Sequence, residues 1–172
     1  MKILVIVPKY SNTKKKFYNY CFPPSFGYII AALKKAGYKV DCLNLNHTEG
    51  SIKDNINVNG YKYVLTGGIA LDYNCIKTIL DEANQYAITI LGGMILTTES
   101  ELMMDNLKAS IGVIGEGEET IVELIDCLKS NRDVREVDGI VFKGKLNQLI
   151  YTNKRVNKIP IDKLPFPSYD EM

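Results

Sequence analysis

Several residue types that build common catalytic centres are scarce in this 172-residue sequence. It contains no tryptophan, one histidine and four cysteines. A centre built on several imidazoles is therefore not expected, because His47 stands alone. The cysteines form neither a CxxC nor a CxxxCxxC motif, so the chain is not expected to hold zinc or a cysteine-ligated cluster. They are Cys21, Cys42, Cys75 and Cys127.

The sequence also lacks an excess of charge and long apolar runs. Its 21 basic and 20 acidic residues give a formal net charge of +1, which predicts no attraction to nucleic acid or to an anionic membrane. Apolar runs such as Ile3–Val7 are far shorter than the roughly 18 residues that a membrane-spanning helix needs. The first residues make a poor signal peptide. We therefore expect a cytoplasmic protein with no nucleic-acid or membrane partner.

Runs typical of strands alternate with helical patterns along most of the chain. The strand-like runs are residues 3–7, 40–45, 61–66, 87–91 and 111–114. Apolar residues at helical spacing follow the first, third and fifth of them. This alternation predicts an α/β fold, a flavodoxin-like doubly wound parallel sheet of five strands in the order 2-1-3-4-5. Thr98 and Glu101 have the spacing of a capping box, which predicts that the helix after the fourth strand begins at Thr98.

The last forty residues follow a different pattern. Residues 139–143 and 148–152 predict a small β-hairpin, and a segment with Pro160, Pro165 and Pro167 then reads as an extended linker. We expect two parts, a Rossmann-like domain over residues 1–132 and a hairpin with its linker over residues 133–172. A linker at the end of the sequence suggests that the chain belongs to a longer protein.

Glycines mark the predicted carboxyl ends of three strands. They are Gly67 and Gly68, Gly92 and Gly93, and Gly115 with Gly117. Ligands of open parallel sheets bind at this edge, and glycine lets a ligand approach the main chain closely. Turns often need glycine for their own geometry, but three such sites on one edge favour a ligand site. No spacing matches G-x-G-x-x-G or a P-loop, so neither a dinucleotide nor a nucleoside triphosphate is indicated.

Several motifs together resemble a known family. They are P-P-S-F-G-Y at 23–28, A-A-L-K-K-A-G-Y at 31–38, L-G-G at 91–93, I-G-E-G-E at 114–118 and L-P-F-P at 164–167. The sequence is similar to the cobalamin-binding domain at the amino terminus of radical S-adenosylmethionine enzymes. That group includes magnesium-protoporphyrin IX monomethyl ester cyclases and radical methyltransferases.

The resemblance implies that a corrin ring lies across the loops at the carboxyl edge, with its nucleotide tail in a slot beside the central strands. The implied cofactor-binding residues are Tyr10, Thr66, Gly67, Gly68, Gly92, Gly93, Gly115, Glu116 and Gly117. Tyr10 would face the lower side of the ring. The residues after the third and fourth strands would line the slot, and those after the fifth would meet the nucleotide or the corrin amides.

Two departures limit what the resemblance implies. The loop after the first strand lacks the D-x-H-x-x-G motif whose histidine ligates cobalt in the wider superfamily, so the lower axial position is undefined and no protein metal ligand is predicted. His47 is expected in a surface loop. The chain also lacks the cluster motif of the radical enzymes. A [4Fe-4S] cluster and S-adenosylmethionine are therefore expected only in a separate C-terminal radical domain, the implied partner, and no catalytic residue is assigned here.

Three hypotheses remain open at this point. The first is a cobalamin-binding module that positions the cofactor for methyl transfer or radical chemistry performed with another domain. The second is a degenerate scaffold that keeps the fold and docks partners. The third is a flavin carrier, which is disfavoured because the loop after the first strand lacks a phosphate cradle and no tryptophan is available to stack on the ring.

Overall fold

One sheet organises the residues that the computed structural model describes, which are 2–10, 22–156 and 159–170. Its strands are β1 (Lys2–Val7), β2 (Lys39–Asn44), β3 (Tyr61–Gly67), β4 (Ile88–Gly92), β5 (Ile111–Val113), β6 (Ile140–Lys143) and β7 (Leu149–Tyr151). The helices are α1 (Pro24–Lys35), α2 (Ile52–Asn55), α3 (Tyr73–Ala83), α4 (Met94–Thr98), α5 (Ser100–Leu107) and α6 (Glu118–Lys129). None of the described helices has the length and apolarity required to cross a bilayer.

The strand order is β2-β1-β3-β4-β5-β6-β7. The first five strands pair in parallel, which confirms the predicted doubly wound sheet and its order. The predicted hairpin is also present, and it extends the same sheet: β6 pairs antiparallel with β5, and β7 pairs antiparallel with β6. The connection from β5 to β6 contains α6, and an antiparallel edge on an otherwise parallel sheet is common in doubly wound folds.

The hydrophobic core lies on both faces of the parallel strands. On one face, Ile3 and Val5 of β1 pack in a cluster with Ile30 of α1 and Leu124 of α6. On the other face, Leu4 and Ile6 belong to a cluster that includes Ile79 of α3. Successive side chains of a strand point to opposite faces, so a central strand covered on both sides must be apolar at every position. This is why β1 reads as a continuous apolar run.

Two short helices were not predicted from the sequence, and one predicted helix start is wrong. The unpredicted helices are α2 and α4, which are too short to show an apolar period. Thr98 does not cap a helix: it ends α4, and its hydroxyl donates to the carbonyl oxygen of Met94 at 2.8 Å. The next helix, α5, begins after Glu99 without a side-chain cap. The hydroxyl of Thr98 thus bonds to the main chain of α4 and not to the start of α5.

The extended C-terminal segment packs against α1. The amide of Ser168 donates to the carbonyl oxygen of Gly27 at 3.0 Å, and the Phe22 and Tyr169 rings meet edge to face with centroids 5.9 Å apart. A Cβ atom at Gly27 would lie 2.8 Å from Cβ of Pro167, so this contact requires glycine. The P-F-P motif therefore ends beside the first turns of α1.

The ends of β3 and β4 approach each other through main-chain atoms. Gly67 and Gly92 are register partners. A Cβ atom at Gly67 would lie 2.5 Å from the carbonyl oxygen of Gly92, whereas a Cβ atom at Gly92 would have no neighbour closer than the Val113 carbonyl oxygen at 4.0 Å. Gly93 has a φ of +85°, and a Cβ atom there would lie 2.8 Å from the nitrogen of Gly68. Close contacts with main chain therefore require glycine at positions 67 and 93, whereas no such contact requires it at position 92.

This difference predicts that alanine is far more destabilising at Gly67 than at its register partner Gly92. Gly67→Ala should lower the free energy of unfolding by about 1–3 kcal/mol, because the added methyl group forces main chain apart. Gly92→Ala, the matched control, should change it by less than about 0.5 kcal/mol, because its methyl group enters open space. Urea unfolding followed by circular dichroism measures both. Equal losses would show that the two strand ends are not in this contact.

Candidate ligand-binding site

An open cavity of about 840 Å³ lies at the carboxyl edge of the sheet. It is bounded by the ends of β1, β3, β4 and β5 and by the first turns of α1, α4 and α6. Its volume is near the upper end of the range of about 300–1,000 Å³ usual for ligand sites. Most of the wall is apolar, including Val7, Leu65, Ile90, Phe26 and Ile121. A large and mostly apolar ligand fits such a wall.

All the cofactor-binding residues expected from the sequence line this one cavity. They are Tyr10, Thr66, Gly67, Gly68, Gly92, Gly93, Gly115, Glu116 and Gly117. They come from four loops that are distant in sequence and meet because the carboxyl ends of parallel strands share an edge. Their juxtaposition is thus a feature of the structure, while their role toward a cofactor stays a prediction.

Hydrogen bonds join the loops after β3, β4 and β5. The amide of Ile95 donates to the carbonyl oxygen of Gly68 at 3.0 Å. The hydroxyl of Thr97 lies 3.2 Å from the carbonyl oxygen of Gly93, to which it donates, and accepts from the amide of Gly115 at 3.1 Å. Thr97 therefore links two of these loops through one oxygen. These hydrogen bonds hold the rim of the cavity together without any contribution from a ligand.

The loop after β1 is held by Asn46, which follows β2. Its side-chain oxygen accepts from the amide of Tyr10 at 2.6 Å, and its side-chain nitrogen donates to the carbonyl oxygen of Pro8 at 2.9 Å. The same nitrogen donates to the side-chain oxygen of Asn44, also at 2.9 Å. Asn46 thus fixes the segment that carries the Tyr10 side chain, which is 44% exposed at the cavity.

Two polar groups near the cavity are already committed to the main chain. The hydroxyl of Thr66 donates to the carbonyl oxygen of Ile6 at 2.9 Å, so only its lone pairs remain for a ligand. The sulfur of Cys75 accepts from the amide of Lys9 at 3.1 Å. Burial raises the pKa of the Cys75 thiol, which keeps it protonated at neutral pH. The Thr66 hydroxyl can therefore accept a hydrogen bond from a ligand, but its proton is already donated to the carbonyl oxygen of Ile6.

Sequence reasoning missed several lining residues, including Asp72 and Thr97, and two further features of the wall. The first is the start of α1, where Phe22 and Ile29 join Phe26 along one side of the cavity. The P-P-S-F-G motif could have indicated it, because an apolar face at the start of a helix after β1 belongs to the carboxyl edge. The second is Glu118, a half-buried carboxyl in the first turn of α6. Burial raises its pKa, and the neighbouring carboxylates Glu116 and Glu119 raise it further.

No cluster of three or more potential metal-ligating side chains occurs among the residues described here. His47 is exposed in the turn after β2, as predicted, and does not line the cavity. Cys75 and Cys127 are buried thiols that form no disulfide. Cys21 lies outside the described residues. The cavity therefore receives neither imidazole nor thiolate from the lining residues that the structure describes.

Known proteins resemble this chain over nearly all of its length. An uncharacterized methyltransferase of Pyrococcus horikoshii, PH0819, is 23% identical over 184 residues, which cover 99% of this chain and 38% of the relative. The chain thus spans little more than a third of that protein.

Solved structures share the fold. The radical S-adenosylmethionine methyltransferase TsrM of Kitasatospora setae, with cobalamin and a [4Fe-4S] cluster bound, has a TM-score of 0.74 at 16% identity, over 99% of this chain and 31% of TsrM. The cobalamin-dependent S-adenosylmethionine radical enzyme OxsB, with aqua-cobalamin bound, has a TM-score of 0.79 at 18% identity, over 98% of this chain and 24% of OxsB. At these identities the likeness shows the fold.

Residues 13–125 match the family described as the B12 binding domain. The matched range contains β2 to β5 and most of the loops that form the cavity. This chain belongs to the B12 binding domain family.

Proposed function

We propose that this chain holds a cobalamin at the carboxyl edge of its sheet, as the cofactor-binding part of a radical S-adenosylmethionine methyltransferase. The observation that carries the proposal is the 840 Å³ cavity, which gathers every residue expected to meet the cofactor. Membership in the B12 binding domain family and the shared fold with TsrM and OxsB support it. The division of labour with a catalytic domain is part of the proposal.

The wall of the cavity suits a corrinoid. Such a ligand is a large, largely apolar macrocycle edged with amides, and the cavity combines apolar walls with peptide groups and few polar side chains. Gly92 leaves open space where a side chain would otherwise stand, since its nearest neighbour in the Cβ direction is 4.0 Å away. A ligand can therefore lie against the main chain at this point.

The residues of the chain bind and orient the cofactor in this proposal. The loop fixed by Asn46 presents Tyr10 to one side of the cavity, and the glycine loops present peptide groups to another. Phe22, Phe26 and Ile29 exclude water along α1. When bound, cobalamin supplies a cobalt centre able to carry a methyl group. The described lining residues contain no histidine, so none of them would supply an imidazole to the cobalt.

A further domain would cover the mouth of the cavity. Met94, which lines the cavity at the start of α4, is 59% exposed, and Leu71, which precedes the lining residue Asp72, is 79% exposed. Exposed apolar side chains at a ligand mouth are typical of a surface that another domain covers. We propose a C-terminal radical domain that binds the [4Fe-4S] cluster and S-adenosylmethionine. The unoxidised thiols of Cys75 and Cys127 suit the reducing cytoplasm, where we place the protein.

Colour provides the first test of the proposal. Purified protein mixed with hydroxocobalamin and then desalted should retain the red-brown corrinoid spectrum in about a one-to-one ratio, because the cavity accepts one ligand. The measurement is the absorbance spectrum of the protein fraction. A colourless fraction would support the scaffold hypothesis, and protein that purifies with a yellow flavin spectrum would support the flavin carrier.

A substitution at Gly92 tests the placement of the ligand. Gly92→Val should weaken hydroxocobalamin binding about tenfold or more while circular dichroism stays unchanged, because the new side chain enters the cavity without displacing protein atoms. Ala36→Val is the matched control, since Ala36 is exposed at the end of α1 on the opposite edge of the sheet. A spectroscopic titration of both variants measures the dissociation constants. Unchanged binding by a folded Gly92 variant would place the ligand elsewhere.

A further inference from the structure

The charged side chains that line the cavity are all acidic. They are Asp72, Glu116 and Glu118, and the lining residues that the structure describes include no lysine or arginine. This differs from the whole chain, in which 21 basic residues slightly outnumber 20 acidic ones. The described wall of the cavity therefore carries only acidic side-chain charges, in a protein that is nearly neutral.

The three carboxyl groups approach the cavity from two elements. Glu116 and Glu118 flank Gly117 at the start of α6, where Glu116 is exposed and Glu118 is half-buried. Asp72 lies after β3, is only 8% exposed, and already accepts from the amide of Ile69 at 3.0 Å. Asp72 thus serves the local turn, while the two glutamates are placed to meet a ligand at the α6 side of the mouth.

The charge and hydrogen-bonding capacity of a carboxylate determine which ligand groups can bind beside it. An ionised carboxylate only accepts hydrogen bonds, and a primary amide offers two N–H donors. A ligand carboxylate offers no donor and carries the same charge, so it is repelled. Corrinoids occur with either group at the edge of the ring: cobalamin and cobinamide carry amides, whereas cobyrinic acid carries carboxylates. Haems also carry carboxylates at the edge of the ring, whereas the one phosphate of cobalamin lies in its nucleotide tail.

We propose that Glu116 and Glu118 make the cavity selective for corrinoids whose peripheral side chains are amides and exclude macrocycles that carry carboxylates. This inference rests on the proposed function and adds to it the residues that determine specificity. The carboxylates accept hydrogen bonds from ligand amides at the α6 side of the mouth. Glu118 discriminates more strongly, because a half-buried charge is less screened by water and salt than an exposed one.

Binding of three corrinoids to the wild-type protein tests the selectivity. The ligands are hydroxocobalamin, cobinamide and cobyrinic acid, of which cobinamide separates the effect of the ring amides from that of the nucleotide tail. Cobinamide should bind about tenfold or more tightly than cobyrinic acid at low ionic strength. The expected ratio reflects repulsion between the carboxylates of cobyrinic acid and the two glutamates near the surface. The ratio should fall as salt is added.

Removal of the two charges tests the residues. Glu116→Gln combined with Glu118→Gln should reduce the preference for cobinamide over cobyrinic acid at least about fivefold, chiefly by tighter binding of cobyrinic acid. Glu99→Gln combined with Glu101→Gln is the matched control: both glutamates are exposed, have the same spacing, stand at the start of α5 and lie outside the cavity. This control should keep the wild-type preference.

The outcomes separate the two proposals. If the wild-type protein binds hydroxocobalamin but does not distinguish cobinamide from cobyrinic acid, the selectivity inference is overturned and the proposed function stands. An undiminished preference in the Glu116 and Glu118 variant would also overturn the inference, because the discrimination would then come from other groups. Failure of the wild-type protein to bind any corrinoid would overturn the proposed function itself.

Discussion

The close contact of main chain between the loops after β3 and β4 is the constraint on which the site depends. Gly67 lies against the carbonyl group of Gly92, and Gly93 lies against the peptide of Gly68. Side chains at Gly67, Gly68 or Gly93 would separate the two strand ends or strain the turn. Because the loops meet without side chains, the edge of the sheet stays open, and Gly92 is left facing the cavity. A binding surface made of peptide groups follows from this packing.

The same edge is rigid because its loops are joined by hydrogen bonds. Thr97 links the loops after β4 and β5, and Asn46 holds the loop after β1. A ligand that enters meets donors and acceptors whose positions are already determined, which lowers the entropic cost of binding. Few of these groups carry charge, and the charged ones are acidic. In the proposed function, shape and peptide groups would therefore provide affinity, while the carboxylates would restrict the edge of the ligand.

Much of the fold could be predicted from the sequence because its parallel strands are buried on both faces. A strand such as β1 must be apolar throughout, and the alternation with amphipathic helices leaves few topologies. The short helices α2 and α4 could not be predicted, since one turn carries no period. The Thr98 error has a related cause: a serine or threonine hydroxyl can bond to the main chain within a helix as well as before it. The sequence also did not indicate that residues 167–169 pack on α1, because that contact joins segments far apart in the chain.

The sequence by itself determined the alternating strands and helices, the strand order and the glycines at the strand ends, because these follow from local periodicity and from rules of chain connection. Only the tertiary structure decided which glycines are required by packing and which one opens onto the cavity. It also decided that Thr97, Asn46 and Glu118 belong to the site. These properties depend on distances between loops that lie tens of residues apart, and such distances exist only once the sheet has brought the strand ends together.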